Sequence, residues 1–491
     1  MTDSTLVWFR NDLRLIDNPA LIEACDSGNP IHFIYILDDS GKHSRPLGGA
    51  QRWWLHHSLA HLAEEISKRG GRLDLYRGDP EAILPHIVRD YGSNLIVWNR
   101  RYHAADIACD SAIKAKLEAE GHSVKSFNGT LIREPWTLAS KTGGAFKVFT
   151  PFWRAARENH TAPAPLHAPK QFAASSKQPS HSALSLSDLA LLPTKPNWAA
   201  KPNWAKGMAG SWVPGEKGAL ATLDTFIDNG FAGYSENRNR PDMPSTSRLS
   251  PYLRFGEISI NYVWHASEMA VQSGRTSASS EDLRVFQSEL GWREFSYYLL
   301  YHQPDISKIN VQRRFDDFSW QNDPSSFQAW CRGQTGYPIV DAGMRELWQT
   351  GFMHNRVRMI VASFLIKHLR IDWRQGETWF WDTLLDADPA SNPASWQWVA
   401  GSGADAAPFF RIFNPMLQSE KFDPEADYVR HYVPELARLS SKYIHAPWKA
   451  SPVELAAAGI KLGSTYPRPI VDHDTARNSA LAAFKALTLY T

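Results

Sequence analysis

Short apolar runs alternate with amphipathic stretches over the first 132 residues. The runs are LVWF (Leu6–Phe9), IHFIYILD (Ile31–Asp38), LDLYRGD from Leu73, NLIVW from Asn94 and HSVKSF from His122. Between them lie segments such as QRWWLHHSLAHLAEEISKRG, which have the pattern of amphipathic helices. Strands rich in branched and aromatic residues, each followed by a helix, predict a doubly wound parallel sheet with right-handed crossovers. We therefore expect an α/β domain over residues 1–135.

The pattern changes after this region. Residues 136–214 are rich in Pro, Ser, Ala and Lys, as in APAPLHAPKQFAASSKQPSHSALS, and this composition predicts an extended interdomain connector. From Gly215 onward helical periodicity dominates, with breaks at Pro338, Gly351 and Pro415 and almost no alternating strand pattern. We expect a larger all-α domain over residues 215–491.

Composition excludes several classes of protein. The chain has 491 residues, too many for one hydrophobic core, and a net charge of only +2, which leaves a local basic face open. Cys25, Cys109 and Cys331 lie far apart without metal-ligand spacing, which argues against a disulfide framework and a zinc site and indicates a reducing cytoplasm. No stretch approaches 18 uncharged apolar residues, so we expect a soluble protein without membrane spans or a signal peptide.

The 20 tryptophans exceed what packing requires, so particular rings are candidates for chemistry while most fill the core. The first strand is followed by FRNDLRLIDNPAL and not by G-x-G-x-x-G. A cofactor in this domain would therefore be held differently from an ordinary dinucleotide.

Two segments place polar groups together at short spacing. Ser245 to Arg248 supply three hydroxyls and a guanidinium before a predicted helix, an arrangement that suits a pyrophosphate but also simple helix capping. In QSELGWREF, the residues Glu289, Trp292 and Arg293 share one helix face. This face is either a binding surface or a surface salt bridge beside a tryptophan.

Two later segments do the same. In GYPIVDAGMRELWQTGFMHNRVRMIVASFL, we expect a helix that starts at a proline and ends at Gly351, followed by a second helix. On the second helix Asn355, Arg358 and Met359 share a face. This face either lines a cavity or is exposed to solvent. In LLDADPASNPASWQWVAGSGADAAPFFRIFNP, prolines and glycines punctuate the chain, and we expect little helix.

Together these segments resemble the cryptochrome/photolyase family over essentially the whole chain. TSRLSPYL, GYPIVDAGMR, HNRVRM and WQW occur in the family's order and spacing. The resemblance implies that the helical domain binds FAD noncovalently and without a Rossmann fingerprint, and that the α/β domain binds an antenna chromophore, either methenyltetrahydrofolate or a deazaflavin. QRWWLHHSLAHL tilts this choice weakly toward folate.

The resemblance also implies roles for individual residues. The expected FAD-binding residues are Tyr234, Thr246, Ser247, Arg248, Ser250, Asn355, Arg358, Asp386, Asp388 and Asn392. The expected DNA-binding residues are Arg238, Glu289, Trp292, Arg293, Asn355, Arg356, Met359 and Trp398. Glu289 and Asn392 are also expected to be catalytic, with Trp396, Trp373 and Trp320 forming an electron-transfer chain. No metal is expected.

The same residues indicate a branch of the family. Glu289 with Trp292, and Met359 with Trp398, resemble the bacterial enzymes that split cyclobutane pyrimidine dimers in DNA with light. These enzymes flip the dimer out of the helix, and electron transfer from excited reduced FAD opens its ring. A cryptochrome photoreceptor remains the main alternative, and a (6-4) photolyase the lesser one. We expect a monomer that binds damaged DNA without an obligate protein partner.

Overall fold

The computed structural model describes residues 3–140, 143–158, 162–173, 175, 183–192, 204–406 and 410–488. Its strands confirm the predicted apolar runs. They are β1 (Ser4–Phe9), β2 (Ile31–Leu37), β3 (Leu73–Arg77), β4 (Ser93–Asn99) and β5 (Ser123–Phe127). All pairings are parallel in the order β3-β2-β1-β4-β5, so the predicted doubly wound sheet is confirmed.

The sheet is covered by helices, and the rest of the described chain is helical. In chain order the α-helices are α1 (Pro19–Asp26), α2 (Gly49–Ser67), α3 (Pro80–Tyr91), α4 (Ala104–Ala119), α5 (Phe149–Arg157), α6 (Lys206–Ser211), α7 (Glu216–Asn229), α8 (Tyr234–Asn237), α9 (Ser250–Phe255), α10 (Ile260–Gln272), α11 (Ser280–His302), α12 (Pro324–Cys331), α13 (Pro338–Thr350), α14 (Asn355–Ser363), α15 (Trp373–Thr383), α16 (Ser391–Ala400), α17 (Pro415–Phe422), α18 (Asp427–Tyr432), α19 (Ser441–Ile444), α20 (Pro452–Ala457) and α21 (His473–Thr488). Short 3₁₀ helices span Pro135–Thr137, Arg313–Asp317, Pro434–Leu436 and Pro447–Lys449, and a π-helix spans Phe364–His368. Within the described residues no strand follows β5, which confirms the predicted helical region.

The described chain forms two compact units. Unit 1 comprises Met1–Ala232, Ser247–Pro304 and Leu385–Asp388. Unit 2 comprises Gly233–Thr246, Asp305–Leu384 and Pro389–Thr491. The division into 1–135, 136–214 and 215–491 stays a prediction, and much of the predicted connector lies outside the described residues.

A buried polar network follows β1 in unit 1. Asp12 accepts hydrogen bonds from the backbone N–H of Arg10 at 2.6 Å and from Nδ2 of Asn99 at 2.7 Å. Arg14 is 1% exposed and donates to the carbonyl of Gly256 at 3.0 Å, directly after α9. Buried polar groups require such partners. The FRNDLRL segment is therefore used to hold α9 against the sheet, where a dinucleotide-binding protein would place its glycine-rich loop.

One expectation about secondary structure was wrong. The segment around Asn392 was expected to contain little helix, yet Ser391–Ala400 forms the ten-residue helix α16. Pro393 lies in its first turn, where a missing N–H removes no intrahelical hydrogen bond. Gly401 ends the helix in a left-handed conformation with φ of 89°. Pro393 and Gly401 thus lie at the two ends of this helix and do not interrupt it.

A close helix contact gives a test of packing. In unit 2, a Cβ added at Gly376 on α15 would lie 2.2 Å from Cη2 of Trp396 and 2.7 Å from Cδ2 of Leu365. We expect Gly376→Ala to lower the free energy of unfolding by about 1–3 kcal/mol through overpacking. Urea unfolding would measure this.

Gly210 is the matched control, because it also lies within a helix but has nothing within 4 Å of an added Cβ. Gly210→Ala should leave stability unchanged or raise it by up to about 1 kcal/mol through helix propensity. Equal effects of the two substitutions would contradict the assigned contact.

Candidate cofactor and DNA-binding site

The hydroxyl-rich segment before α9 contains one strained residue. In unit 1, Arg248 has a left-handed backbone with φ of 52°, and its guanidinium carbon lies 4.3 Å from the centre of the Trp212 ring. α9 begins at Ser250, and its N-cap Leu249 makes no side-chain capping hydrogen bond. Capping of α9 by Ser247 therefore does not explain the hydroxyls. Strained non-glycine residues concentrate at functional sites, which fits a binding role for this segment.

The two predicted aspartates belong to a four-residue segment of unit 1. Asp386 accepts a hydrogen bond from the hydroxyl of Ser250, and Asp388 accepts one from Tyr297 at 2.7 Å. Between them, the carbonyl of Ala387 accepts a hydrogen bond from Nε of Arg254 at 2.8 Å. Both aspartates are buried, so their positions are fixed by these partners.

Tyr297 was not found by sequence reasoning. It is buried on α11, and burial followed by the neighbouring Asp388 raises the pKa of its hydroxyl. Tyr297 therefore keeps its proton and acts as the donor to Asp388. Only its position on the same helix as Glu289 could have suggested it.

Unit 2 carries the remaining predicted FAD-binding residues of this region. Tyr234 begins α8 and is 5% exposed, whereas Thr246 is half-buried. The guanidinium carbon of Arg238 lies 5.8 Å from the centre of the Tyr234 ring. Tyr234 and Arg238 are thus neighbours within this unit.

The start of α14 concentrates positive charge. Nε of Arg358 donates to the carbonyl of Met353 at 2.7 Å, and Nη2 of Arg356 donates to Oδ1 of Asn239 at 2.7 Å. His354 caps the helix, and its Nδ1 accepts from the backbone N–H of Arg356 at 3.2 Å. Burial, with help from three arginines, lowers the pKa of His354 to about 4. The imidazole is therefore neutral at pH 7.

The two other predicted residues of α14 are accessible. Asn355 is exposed and Met359 is half-exposed, and both belong to unit 2. The helix buries Val357, Ile360 and Val361 instead. The predicted division of α14 into a polar and an apolar face is confirmed.

The amide of Asn392 has a defined orientation. Its Nδ2 donates to the backbone carbonyl of Glu377 at 3.1 Å and to Oε1 of Glu377 at 2.8 Å. Both amide protons are thus used, and within the described part of the chain no residue donates to its Oδ1. An acceptor oxygen without a protein donor, on a side chain that is only 8% exposed, fits a ligand that carries an N–H group.

On α11 of unit 1, Glu289, Trp292 and Arg293 are each half-buried. The Trp292 ring stacks on Phe149 with a centroid distance of 3.8 Å and an interplanar angle of 9°. Phe149 therefore covers one face of this ring. The Arg293 side chain makes a hydrogen bond within the protein, since its Nη1 donates to the carbonyl of Thr130 at 3.0 Å.

The three tryptophans of the predicted electron-transfer chain lie in unit 2 and differ in exposure. Trp396 is 2% exposed, Trp373 is fully buried and Trp320 is half-buried. Nε1 of Trp373 donates to Oδ1 of Asn310 at 3.0 Å, while Trp320 packs on Phe318 at a centroid distance of 4.5 Å. The order from buried to half-buried matches a path toward the surface.

Two groups on α16 fit a bound cofactor. Nε1 of Trp396 is buried and makes no hydrogen bond to any described residue. Trp396 follows Asn392 by four residues, so the two side chains share one helix face. An unpartnered donor and an unpartnered acceptor on one face fit a polar ring system such as isoalloxazine. Trp398, on the same helix, is half-buried and donates from Nε1 to the carbonyl of Asp405 at 3.2 Å.

Several contacts of the predicted residues could not be read from the sequence. The main ones are Phe149 against Trp292, Glu377 against Asn392, Asn239 against Arg356, Asn310 against Trp373 and Trp212 against Arg248. Each partner is distant in sequence or carries no motif, so no local pattern pointed to it.

No helix in the described ranges is long and apolar enough to cross a membrane.

Comparison with known proteins gives matches over nearly the whole chain. Residues 5–170 match the family model described as DNA photolyase, and residues 286–486 match the FAD binding domain of DNA photolyase. A deoxyribodipyrimidine photo-lyase from Agrobacterium fabrum is 54% identical over 99% of this chain and 98% of its own length. Cryptochrome-2 of Arabidopsis thaliana is 39% identical over 97% of this chain and 78% of its own length.

A solved structure gives the same result. The crystal structure of a bacterial class III photolyase from Agrobacterium tumefaciens superimposes with a TM-score of 0.94 at 54% identity, covering 99% of this chain and 98% of that one. Identity at this level over nearly the whole of both chains shows the family of this protein. The chain belongs to the photolyase/cryptochrome family and carries its FAD-binding domain.

Proposed function

We propose that this protein is a light-dependent DNA repair enzyme that splits cyclobutane pyrimidine dimers. The observation that carries the proposal is the full-length similarity, at 54% identity, to a relative named deoxyribodipyrimidine photo-lyase. Glu289, Trp292, Met359 and Trp398 agree with it, since they are the residues on which the resemblance to dimer-splitting enzymes rests.

The FAD-binding residues are proposed as the resemblance implies. In unit 1 these are Ser247, Arg248, Ser250, Asp386 and Asp388, and in unit 2 Tyr234, Thr246, Asn355, Arg358 and Asn392. When bound and reduced, FAD supplies the excited-state electron that opens the cyclobutane ring and recovers it afterwards. Asn392 presents an acceptor oxygen that a ring N–H can bind without being deprotonated, because an amide is not a base.

The DNA-binding residues divide by chemistry. Arg238, Arg356 and Arg293 are proposed to contact phosphates or base carbonyls, and Asn355 and Met359 to contact the flipped dimer. Trp292 offers one ring face to a base, because Phe149 covers the other. Glu289 is proposed to donate a hydrogen bond, from its protonated carboxyl group, to a pyrimidine carbonyl as negative charge develops on the dimer.

The tryptophans are proposed to pass electrons inward. Trp320, the half-buried member, takes an electron from a reductant in solution, and Trp373 and Trp396 carry it to the interior of unit 2. Transfer along the three indoles would divide one long electron-transfer step into a few shorter ones. Trp379 and Trp381 are proposed to be structural, and both are buried.

A cryptochrome photoreceptor is the second candidate, and the 39% identity to Cryptochrome-2 favours it. That protein is longer, because the match covers 78% of its length. A (6-4) photolyase is less favoured, since such repair needs a general acid and the one histidine beside α14, His354, is neutral at pH 7.

An antenna chromophore, methenyltetrahydrofolate or a deazaflavin, is proposed for the α/β domain. QRWWLHHSLAHL forms α2, where Trp53 packs against His57 with ring centroids 4.8 Å apart. This contact does not discriminate between the two chromophores, and mass spectrometry of the extracted chromophore will. We further propose that the enzyme acts in the cytoplasm as a monomer, without an obligate protein partner.

The function is tested by a repair assay. Reduced, anaerobic protein is mixed with an oligothymidine containing cyclobutane dimers and illuminated with near-ultraviolet to blue light. We expect the absorbance of thymine to recover in light and not in darkness. Absence of recovery, with FAD bound and photoreducible, would favour the cryptochrome.

The same assay tests Glu289. Glu289→Gln replaces the proposed carboxylic acid donor with a weaker amide donor and should slow repair by about tenfold, equivalent to ~1.4 kcal/mol, without loss of FAD. Glu281→Gln is the matched control on the same helix, because Glu281 is exposed and pairs with Arg284 at 2.6 Å. Normal repair in Glu289→Gln would remove the proposed role.

Asn392→Asp tests the amide. The new carboxylate would face the carbonyl and carboxylate oxygens of Glu377, so two like charges would raise the pKa of the pair. We expect FAD to be held less tightly as pH rises and a different reduced flavin spectrum to accumulate under light. Absorbance during anaerobic illumination at several pH values measures both effects.

The double variant N392D/E377Q is the control, because the side-chain amide introduced by Glu377→Gln restores a donor between the two positions. It should recover FAD retention at high pH. A single variant that behaves like the wild type at every pH would show that this amide does not contact the flavin.

Trp396→Phe tests the electron path. We expect photoreduction of bound FAD to slow by at least about tenfold, since phenylalanine is far harder to oxidise, while chemically reduced enzyme still repairs DNA. Trp330→Phe is the control, because Trp330 is buried 6.3 Å from Trp396 but lies outside the proposed chain. Equal slowing in both variants would argue for a packing effect.

A further inference from the structure

A second cluster of chemically reactive side chains lies in unit 1. His43, Glu81 and Cys109 each offer a ligand atom, and these atoms lie within 4.8 Å of one another. Within the ranges that the structure describes, this is the group of three histidine, cysteine or carboxylate side chains that satisfies this condition. The proposed repair chemistry uses none of them.

The location is one at which doubly wound sheets bind ligands. His43 lies between β2 and α2, Glu81 lies in the first turn of α3 after β3, and Cys109 lies on α4 after β4. Each connection leaves the carboxyl end of a parallel strand, the edge at which such sheets hold ligands. α3 and α4 also pack against each other, so the cluster rests on fixed elements.

The cluster is protected from solvent on one side. Cys109 is 0% exposed and belongs to the apolar core between the sheet and the helices, while the side chain of His43 is 8% exposed. Glu81 is more accessible, at 33%. The cluster therefore combines a buried thiol and a buried imidazole with a carboxylate that solvent can reach.

A further carboxylate, that of Asp79, lies beside His43. Oδ1 of Asp79 lies 3.1 Å from Nε2 of His43, and Oε1 of Glu81 lies 3.9 Å from the same nitrogen. Lys42 binds the other two oxygens, Oδ2 of Asp79 at 2.8 Å and Oε2 of Glu81 at 3.0 Å. Oδ1 of Asp79 also accepts the backbone N–H of Glu81 at 3.0 Å, so Oε1 of Glu81 is the oxygen that the ammonium leaves for another cation.

The surrounding charges favour a cation. Asp106 and Asp110 are paired with Arg101 at 2.7 Å each, and Arg10 also binds Asp110. Counting Asp79 and Glu81 as well, four carboxylates face the three cations Arg10, Lys42 and Arg101, so one negative charge remains.

We propose that His43, Glu81 and Cys109 form a binding site for a zinc ion, with a solvent molecule as the fourth ligand. Nitrogen, sulfur and carboxylate ligands match the preference of zinc, and the set excludes magnesium and calcium, which take oxygen ligands. On binding, the Cys109 thiol releases its proton to solvent and the thiolate bonds to the metal. Zinc ligands stand about 3.3–3.8 Å apart, so His43, on an irregular connection, moves inward by about 1 Å.

Sequence analysis did not identify this site. Glu81 lies 38 positions after His43, and Cys109 lies 28 positions after Glu81, so the ligands form no short motif. Cysteine spacing alone, which argued against a zinc site, could not detect a set that contains one cysteine.

The test is zinc binding by the FAD-loaded enzyme. Protein freed of metal with a chelator is titrated with Zn²⁺ in competition with a chromophoric chelator. We expect about one equivalent bound with a Kd on the order of 1 μM or tighter, and X-ray absorption showing one sulfur ligand at about 2.3 Å. Absence of binding, or a zinc site without sulfur, would overturn the proposal.

Matched variants locate the site. Cys109→Ser and His43→Asn should each weaken binding by at least about tenfold, equivalent to ~1.4 kcal/mol. Cys25→Ser and His86→Asn should not, because Cys25 is half-exposed on α1 and His86 is exposed on α3. Unchanged binding in the first pair would place the metal elsewhere and refute the assignment.

The variant Lys42→Ala is expected to change the zinc affinity in the opposite direction, toward tighter binding. Removing the ammonium that competes for Asp79 and Glu81 should tighten zinc binding several-fold while leaving FAD content unchanged. Weaker binding in this variant would contradict the charge argument. Because the readout is metal content, the result does not depend on whether the enzyme repairs DNA.

Discussion

The hydrogen bond from Nε of Arg254 to the carbonyl of Ala387 fixes the most constrained segment of this fold. Leu385–Asp388 belongs to unit 1, although the chain before and after it belongs to unit 2. Arg254 and Ala387 are both buried, so an unpaired guanidinium or carbonyl would be costly there. This backbone contact sets the path of the chain, and the flanking aspartates follow from it.

Asp386 and Asp388 illustrate why that path matters. A buried carboxylate persists only where donors reach it, and here the donors are Ser250 on α9 and Tyr297 on α11. α9 is in turn held by Arg14, which bonds the carbonyl of Gly256. The polar network after β1 and the acidic segment are therefore parts of one arrangement within unit 1, and α9 connects them.

Much of the fold could be predicted because its periodicities are strong. β1 and β2 are buried along their whole length and read as continuous apolar runs, and all five strands were identified. α16 was missed, because Pro393 and Gly401 look like helix breakers when their positions at its first turn and C-terminus are unknown. The π-helix at Phe364–His368 was missed as well, because it differs from an α-helix in hydrogen bonding and not in hydrophobic pattern.

The candidate residues could be named from sequence, but their partners could not. Asn392 binds Glu377, fifteen residues earlier, and Trp292 stacks on Phe149 from a different helix. Such contacts depend on how elements pack, and no local pattern records packing. These contacts set the geometry of the candidate residues, since Glu377 orients the amide of Asn392 and Phe149 covers one face of Trp292.

The protonation state of His354 separates two repair chemistries that the residue types alone leave open. A general acid must hold a proton near neutral pH, yet burial and three arginines lower the pKa of His354 to about 4. Its Nδ1 also accepts the backbone N–H of Arg356, which a doubly protonated ring could not do. The residue is therefore a helix cap that tolerates the neighbouring arginines because it is neutral. A site that supplies positive charge and hydrogen bonds, without a proton donor at this position, suits a reaction in which an electron leaves and returns.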